Sequence, residues 1–130
     1  MQEILVEAKG LTKHFQSKGF FSKKNKAIRA VDGISFRIPK GETLGLVGES
    51  GCGKSTTGKL LLRLLEPTAG SSFFKGRDIY KLKKKELQKL RREMQVIFQD
   101  PFSSLNMRMN VKKIISEPLE IHKIGGKIER

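Results

Sequence analysis

The amino-acid sequence predicts an α/β fold organised around one phosphate-binding loop, and three consecutive features support this prediction. Thr43–Val47 is a short apolar run typical of a buried strand. Gly48–Ser55 follows it and matches the spacing G-x-x-x-x-G-K-S/T of a loop that wraps phosphate groups. Leucines then recur at helical spacing up to Leu65. Strand, glycine-rich loop and helix therefore come in the order that a nucleotide site requires.

Each residue type in the loop suits a triphosphate. Gly48, Gly51 and Gly53 allow the backbone to turn its N–H groups inward and to approach the phosphates closely. The following helix adds unpaired N–H groups and the positive end of its dipole. Lys54 offers a mobile charge to the terminal phosphates, and the Ser55 hydroxyl suits Mg²⁺. The predicted nucleotide contacts in this loop are Gly48, Glu49, Ser50, Gly51, Cys52, Gly53, Lys54, Ser55 and Thr56.

The composition indicates one domain with a strongly basic surface. The 130 residues, enough for one core, include 27 Lys and Arg against 13 Asp and Glu, a formal net charge of +14. Such a charge suggests a nucleic acid or an anionic membrane as partner. Because only 7% of the residues are aromatic and no nucleic-acid module is present, we interpret it as a solvated basic surface.

Cys52 is the single cysteine and cannot form an internal disulfide, which fits a reducing compartment. A reactive thiol beside a helix N-terminus is one interpretation of its place in the loop. We favour the other, a small side chain that contributes mainly its backbone N–H. No secretory segment opens the chain, and no apolar run approaches the ~20 residues of a membrane-spanning helix. We therefore expect a soluble protein whose membrane role would come through partners.

Two alternating segments before the loop predict strands. Glu3–Lys9 is typical of an edge strand, and Ile34–Ile38 of a second strand that a tight turn joins to the loop strand. Between them, Gln16–Arg29 is rich in Lys, Ser and Gly and predicts an exposed excursion. Its two phenylalanines, Phe20 and Phe21, have no role that the sequence determines. The nucleotide site is thus expected to follow an antiparallel β element.

The elements after the loop alternate between helix and strand. The helix that begins at the loop should end near Glu66, before a proline that cannot continue it. Ser71–Lys75 predicts another strand, and the latter part of Lys81–Arg92 predicts a helix with a basic face, for which a phosphate-backbone site is the less favoured interpretation. Asn110 should cap a last helix that Pro118 interrupts or bends.

Phosphoryl transfer also needs a group that holds Mg²⁺ from the other side. Met94–Phe98 predicts a second core strand, and two residues that follow it could supply this group. Asp100 fits if the strand ends in a metal-binding carboxylate. Gln99 fits if its amide reaches both the metal and the attacking water. The spacing alone leaves both assignments open.

The sequence resembles the ATP-binding subunits of ABC transporters, most specifically those of the oligopeptide and dipeptide importers. The resemblance covers nearly the whole chain, although Met107 stands where the pattern has proline. It is carried by the runs Ala30–Phe36, Gly41–Thr56, Leu65–Gly70, Met94–Asn106 and Glu117–Leu119. It implies a P-loop NTPase fold of the ABC ATPase type, α/β, with an N-terminal antiparallel β element and an incomplete RecA-like core.

The resemblance also implies one ATP-binding domain, of which this chain is the N-terminal portion. Residues 1–47 would form the antiparallel β element and the Walker strand. Residues 48–99 would form the P-loop core as far as the Q-loop, and residues 100–130 would begin the helical subdomain.

The implied cofactors are ATP and Mg²⁺, with Lys54 and Gln99 as catalytic residues and Ser55 and Gln99 as metal ligands. Gln99 becomes the Q-loop glutamine, which contacts Mg²⁺ and water and relays the nucleotide state to the membrane subunits. Asp100 then becomes a loop residue. Phe15 stands where the family has an aromatic ring that stacks on adenine, with a core phenylalanine as the alternative.

The function implied is the coupling of ATP binding and hydrolysis to the import of peptides or related solutes through a membrane ABC transporter. The partners would be permease subunits at Gln99–Asn106, a second ATP-binding subunit in a homo- or heterodimer, and indirectly an extracytoplasmic solute-binding protein. The subunit would lie at the cytoplasmic face of the membrane as a peripheral protein. Nucleic acid is not expected as a partner.

The 130 residues contain no L-S-G-G-Q signature, no later apolar run ending in Asp-Glu and no later switch histidine. We therefore expect ATPase activity of the full-length subunit but not of this chain alone. Two alternatives stay open: a soluble P-loop ATPase that acts on nucleic acid, and a non-catalytic nucleotide-binding fragment.

Overall fold

A computed structural model describes residues 2–16, 27–100 and 102–126 of the chain. Most of the predicted excursion, including Phe20 and Phe21, lies outside these residues, as do residues 1, 101 and 127–130. The chain divides into two units, Met1–Leu82 and Lys83–Arg130. Within the described ranges, no helix is both long and apolar enough to cross a membrane.

The first unit is built on a four-stranded sheet of spatial order β2-β1-β3-β4. Its strands are β1, Ile4–Gln16; β2, Ala27–Pro39; β3, Ala69–Phe74; and β4, Arg77–Asp78. Every pairing in it is antiparallel. The sheet therefore confirms the antiparallel β element that the sequence predicts.

One detail of that prediction is wrong, because Glu3–Lys9 is not at an edge. These residues belong largely to β1, which pairs with β2 on one side and with β3 on the other. The strand that covers the second side comes from beyond the phosphate loop, so no local pattern in Glu3–Lys9 could reveal it. Strands β1 and β3 approach closely: a Cβ added to Gly70 would lie 2.2 Å from the carbonyl oxygen of Gly10.

The core of the first unit lies between this sheet and helix α1, Lys54–Leu61. Ala8 and Leu11 of β1, Val31 of β2 and Leu60 of α1 form its buried centre. Burying a valine or leucine side chain stabilises a fold by about 1.5–3 kcal/mol. The half-buried residues packed around this centre are Ile34, Phe36, Leu61, Leu65 and Tyr80.

Helix α1 ends earlier than the sequence predicts, at Leu61 instead of near Glu66. Its end is a Schellman motif, in which Arg63 N–H donates to Leu60 O and Leu64 N–H to Lys59 O. Arg63 takes the left-handed conformation that this motif needs, with φ 49°. Its guanidinium donates to two carbonyls further along the chain, at 2.9 Å each. These tertiary bonds compensate for a non-glycine residue in that conformation and end the helix before the proline.

Two predicted core strands are also wrong. Thr43–Val47 and Met94–Phe98 form no strand in the structure, and Val47 and Ile97 are 97% and 93% exposed. A central strand needs hydrogen-bonded neighbours on both edges and cover on both faces. Among the described residues no strand pairs with either segment, and most of their apolar side chains are exposed.

The second unit contains helix α2, Lys84–Leu90, a 3₁₀ turn at Phe102–Ser104, and helix α3, Val111–Ile121. Asn110 caps α3 as predicted, because its side-chain oxygen accepts the Lys113 N–H at 2.9 Å. Pro118 lies inside α3 and does not interrupt it. The predicted basic helix is confirmed as α2.

Tyr80 provides a spectroscopic test of the core, because the chain has one tyrosine and no tryptophan. Its hydroxyl donates to Leu60 O at 2.7 Å. Burial, followed by the nearby charge of Glu66, raises the pKa of Tyr80 to about 12. A raised folded-state pKa means a stability contribution that is complete below the unfolded pKa of about 10 and is lost as the pH rises towards 12.

We predict that absorbance at 295 nm titrates near pH 12 for the folded chain and near pH 10 in guanidinium chloride. Tyr80→Phe should abolish the signal in both conditions. An unshifted titration of the folded chain would contradict the burial of the Tyr80 hydroxyl against the core.

Candidate nucleotide-binding site

The phosphate loop packs directly on the backbone of β2. Gly53 is the N-cap of α1 and has φ 98°. A Cβ at this position would lie 2.1 Å from the carbonyl oxygen of Ala30 and 3.6 Å from a methyl group of Val31. Only glycine fits both this contact and this backbone conformation. The contact fixes where α1 begins and therefore where its N-terminus points.

The first half of the loop is closed by internal contacts. Cys52 N–H donates to Glu49 O at 3.3 Å, which makes a turn over Ser50 and Gly51. A Cβ on Gly48 would lie 2.6 Å from Cys52 Sγ, so Gly48 and Cys52 are in close approach. Gly51 has φ 84°, which favours glycine. The loop is therefore compact before any ligand is considered.

Lys54 connects the helix back to this turn. Its ammonium donates to Gly48 O at 2.6 Å and to Glu49 O at 2.7 Å, and it lies 3.4 Å from Cys52 Sγ. A positive charge thus lies against the loop that the sequence predicts to hold phosphates. Cys52 itself is an exposed free thiol.

The remaining residues predicted to contact the nucleotide, Ser55 and Thr56, lie in the first turn of α1. Thr57 donates its N–H and its hydroxyl to Gly53 O, at 2.8 and 3.0 Å. The N–H groups before Thr57 have no acceptor inside the helix, as for any first turn. No acidic side chain lies in this turn, and the side chain of Ser55 is exposed. The helix end is therefore electropositive, with a hydroxyl beside it.

Phe15 lies on the strand pair that supports the loop. It pairs with Ile28 of β2, two residues before Ala30. Its ring is 40% exposed and lies 5.3 Å from the ammonium of Lys13. The ring thus has accessible surface in the same unit as the loop, and its contact with adenine stays a prediction.

A charged cluster beside Phe15 was not anticipated from the sequence. His14 Nε2 lies 3.1 Å from one carboxylate oxygen of Asp32, and Arg29 donates to the other at 3.4 Å. The hydrogen bond with His14, with the charge of Arg29, lowers the pKa of Asp32 below its ordinary value. The cluster joins β1 to β2, and Ala30, whose carbonyl lies against Gly53, stands between Arg29 and Asp32 in the chain. Arg29 and Asp32 are three residues apart on β2, and strand register brings His14 of β1 beside them, so no sequence spacing could indicate the whole cluster.

Gln99 and Asp100 belong to the second unit, between α2 and the 3₁₀ turn. Gln99 is exposed. One carboxylate oxygen of Asp100 accepts the Phe102 N–H at 3.1 Å, which starts the turn. This local bond favours Asp100 as a loop residue, as the resemblance implies. The metal contact of Gln99 stays a prediction.

The chain is similar to known proteins in sequence and in fold. The ABC transporter family matches residues 31–128. AppF, an oligopeptide transport ATP-binding protein of Bacillus subtilis (strain 168), is 47% identical over 99% of this chain and 40% of its own length. YkfD of the same strain, also named for oligopeptide transport, is 49% identical over 92% of this chain and 35% of its own length. The chain thus spans two fifths or less of these relatives.

A solved structure has the same fold. It is an ATP-binding cassette, dimeric in a post-hydrolysis state and bound to ADP and phosphate. It is 26% identical to this chain and has a TM-score of 0.74. The matched region covers 94% of this chain and 50% of the cassette's chain. The fold predicted from the sequence is therefore confirmed.

Three glycines, one before the loop and two within it, give a graded stability test. Gly45→Ala should change the free energy of unfolding little, because its Cβ has open space and its φ is not left-handed. Gly51→Ala has open space but φ 84° and should cost about 1–2 kcal/mol. Gly53→Ala adds the clash with Ala30 and should cost at least about 3 kcal/mol. Guanidinium unfolding measures all three, and equal costs would contradict the packing of the loop on β2.

Proposed function

Because this chain belongs to the ABC transporter family, we propose that it forms the nucleotide-holding part of an ATP-binding subunit. The whole subunit would couple ATP binding and hydrolysis to the import of peptides or related solutes. The names of AppF and YkfD support the peptide class. Since the chain spans 40% or less of the length of those relatives, we propose the transport-coupled ATPase activity for a whole subunit and not for these 130 residues alone.

The observation that carries the proposal is the ammonium of Lys54 held on the carbonyls of Gly48 and Glu49. A flexible four-carbon stem lets this charge exchange the carbonyls for phosphate oxygens. The close approaches at Gly48 and Gly53 fit a backbone cradle, and the electropositive start of α1 adjoins it. We assign the triphosphate to this loop, with Phe15 against the adenine.

We extend the proposal to Mg²⁺, because this metal prefers oxygen donors. The Ser55 hydroxyl is exposed at the start of α1, and the amide of Gln99 is the proposed second ligand. The metal would neutralise charge on the phosphates. Ser55 and Gln99 would orient it, and Gln99 would also contact the attacking water.

We propose that hydrolysis takes place in a composite site between two ATP-binding subunits. A dimeric ATP-binding cassette among the structural neighbours supports this arrangement. The segment Gln99–Asn106 would contact the permease subunits, and Phe102 within it is 76% exposed. The subunit would therefore lie at the cytoplasmic face of the membrane. Its domain would be divided as residues 1–47, 48–99 and 100–130.

The purified chain should bind Mg-ATP weakly and should not turn it over, because its 130 residues include neither a signature motif nor a catalytic Asp-Glu pair. Lys54→Ala should weaken binding by at least about tenfold, since it removes a charge-assisted contact. Lys59→Ala removes the same charge from the exposed end of α1 and serves as the matched control. Binding is measured with a fluorescent ATP analogue, and turnover by phosphate release.

Two outcomes would contradict this assignment. One is steady-state hydrolysis by the chain that Lys54→Ala abolishes. The other is equal nucleotide affinity of the Lys54→Ala and Lys59→Ala variants. In the longer subunit, Gln99→Ala should lower turnover while nucleotide binding by the loop is retained.

A further inference from the structure

The second unit contains a cleft that the nucleotide site does not use. It has a volume of about 320 Å³ and lies between α2 and the end of α3. No acidic side chain lines it. The lining residues are Lys85, Gln88, Lys89, Arg92, Ile121, His122 and Lys123.

The positive charges come from both helices. Lys85, Lys89 and Arg92 are spaced i, i+4 and i+7 along α2 and the turn after it, so they share one face. Lys123 follows the end of α3. Among the described residues, the three lysines form no ion pair. Four cations around one small cleft repel one another, and an anion between them would relieve that repulsion.

The negative end of α3 does not oppose an anion there, because its last carbonyls already have donors. Gln88 donates to Ile121 O at 3.2 Å, and Arg92 donates to His122 O. The carbonyls one turn earlier accept backbone N–H groups at the helix end. These bonds also hold α2 and α3 at the two sides of the cleft.

We propose that this cleft binds a phosphate group, either in a small free oligophosphate such as pyrophosphate or in the headgroup of an anionic phospholipid. Several cations suit a multiply charged anion better than a single carboxylate, and arginine with lysine is a combination that recognises phosphate. The volume is at the small end of the range for ligand sites, which fits a compact group. A nucleic-acid strand would instead need a groove several nucleotides long.

The experiment uses the chain carrying Lys54→Ala, so that the phosphate loop contributes little. The cleft variant adds Lys85→Gln, Lys89→Gln and Lys123→Gln, which remove charge without breaking the bonds of Gln88 and Arg92. The control variant instead adds Lys84→Gln, Lys112→Gln and Lys113→Gln, three exposed lysines of the same two helices that do not line the cleft. Both variants lose the same charge.

Binding of pyrophosphate is measured by calorimetry, and binding to vesicles by sedimentation with phosphatidylcholine alone or mixed with phosphatidic acid. The cleft variant should lose roughly tenfold or more in affinity for one or both phosphate probes, with the control variant close to the parent. If the cleft variant loses affinity for pyrophosphate alone, the ligand is a free anion. If it loses affinity for vesicles that contain phosphatidic acid, the ligand is a lipid headgroup.

Three results would overturn the proposal. The first is an equal loss of affinity in the cleft and control variants, which would show a general effect of charge. The second is no binding of either probe by the parent chain. The third is an unchanged affinity of the cleft variant for both phosphate probes together with a loss of affinity for a DNA duplex, which would assign the basic face to a nucleic-acid backbone.

Discussion

The contact between Gly53 and the carbonyl of Ala30 is the constraint on which the candidate site depends. The 2.1 Å approach of a Cβ built on Gly53 leaves no room for a side chain, so the loop lies directly on β2. Since Gly53 caps α1, the same contact sets the start of the helix and places Lys54 against the loop carbonyls. Helix, loop and sheet thus meet at one point.

That point in turn depends on the antiparallel sheet. β2 is held by β1, and β1 is held on its other side by β3, which returns to the sheet after α1. Leu60 of α1 packs into the same buried centre as Val31, the residue after Ala30. The chain on both sides of the loop is therefore fixed to one sheet, so a side chain introduced at Gly53 cannot be accommodated by moving one element alone.

The sequence predicted those features whose causes are local. The loop, the cap at Asn110 and the basic helix follow from residue type and spacing over a few positions. It failed where the cause is distant, as for the edge position of Glu3–Lys9 and the end of α1 at Arg63. Thr43–Val47 has the composition of a core strand, yet strands that could cover it are not among the described residues. Strand register brings His14 of β1 beside Arg29 and Asp32 of β2.

The central claim is that Gly48–Ser55 holds the phosphates of ATP. Titration of ¹⁵N-labelled chain with Mg-ATP, followed by amide NMR shifts, tests it most directly. We expect the largest shifts at the N–H groups of residues 48–57, with ring-current shifts around Phe15. Saturable shifts confined to α2 and the residues after it, with the loop unchanged, would contradict the account.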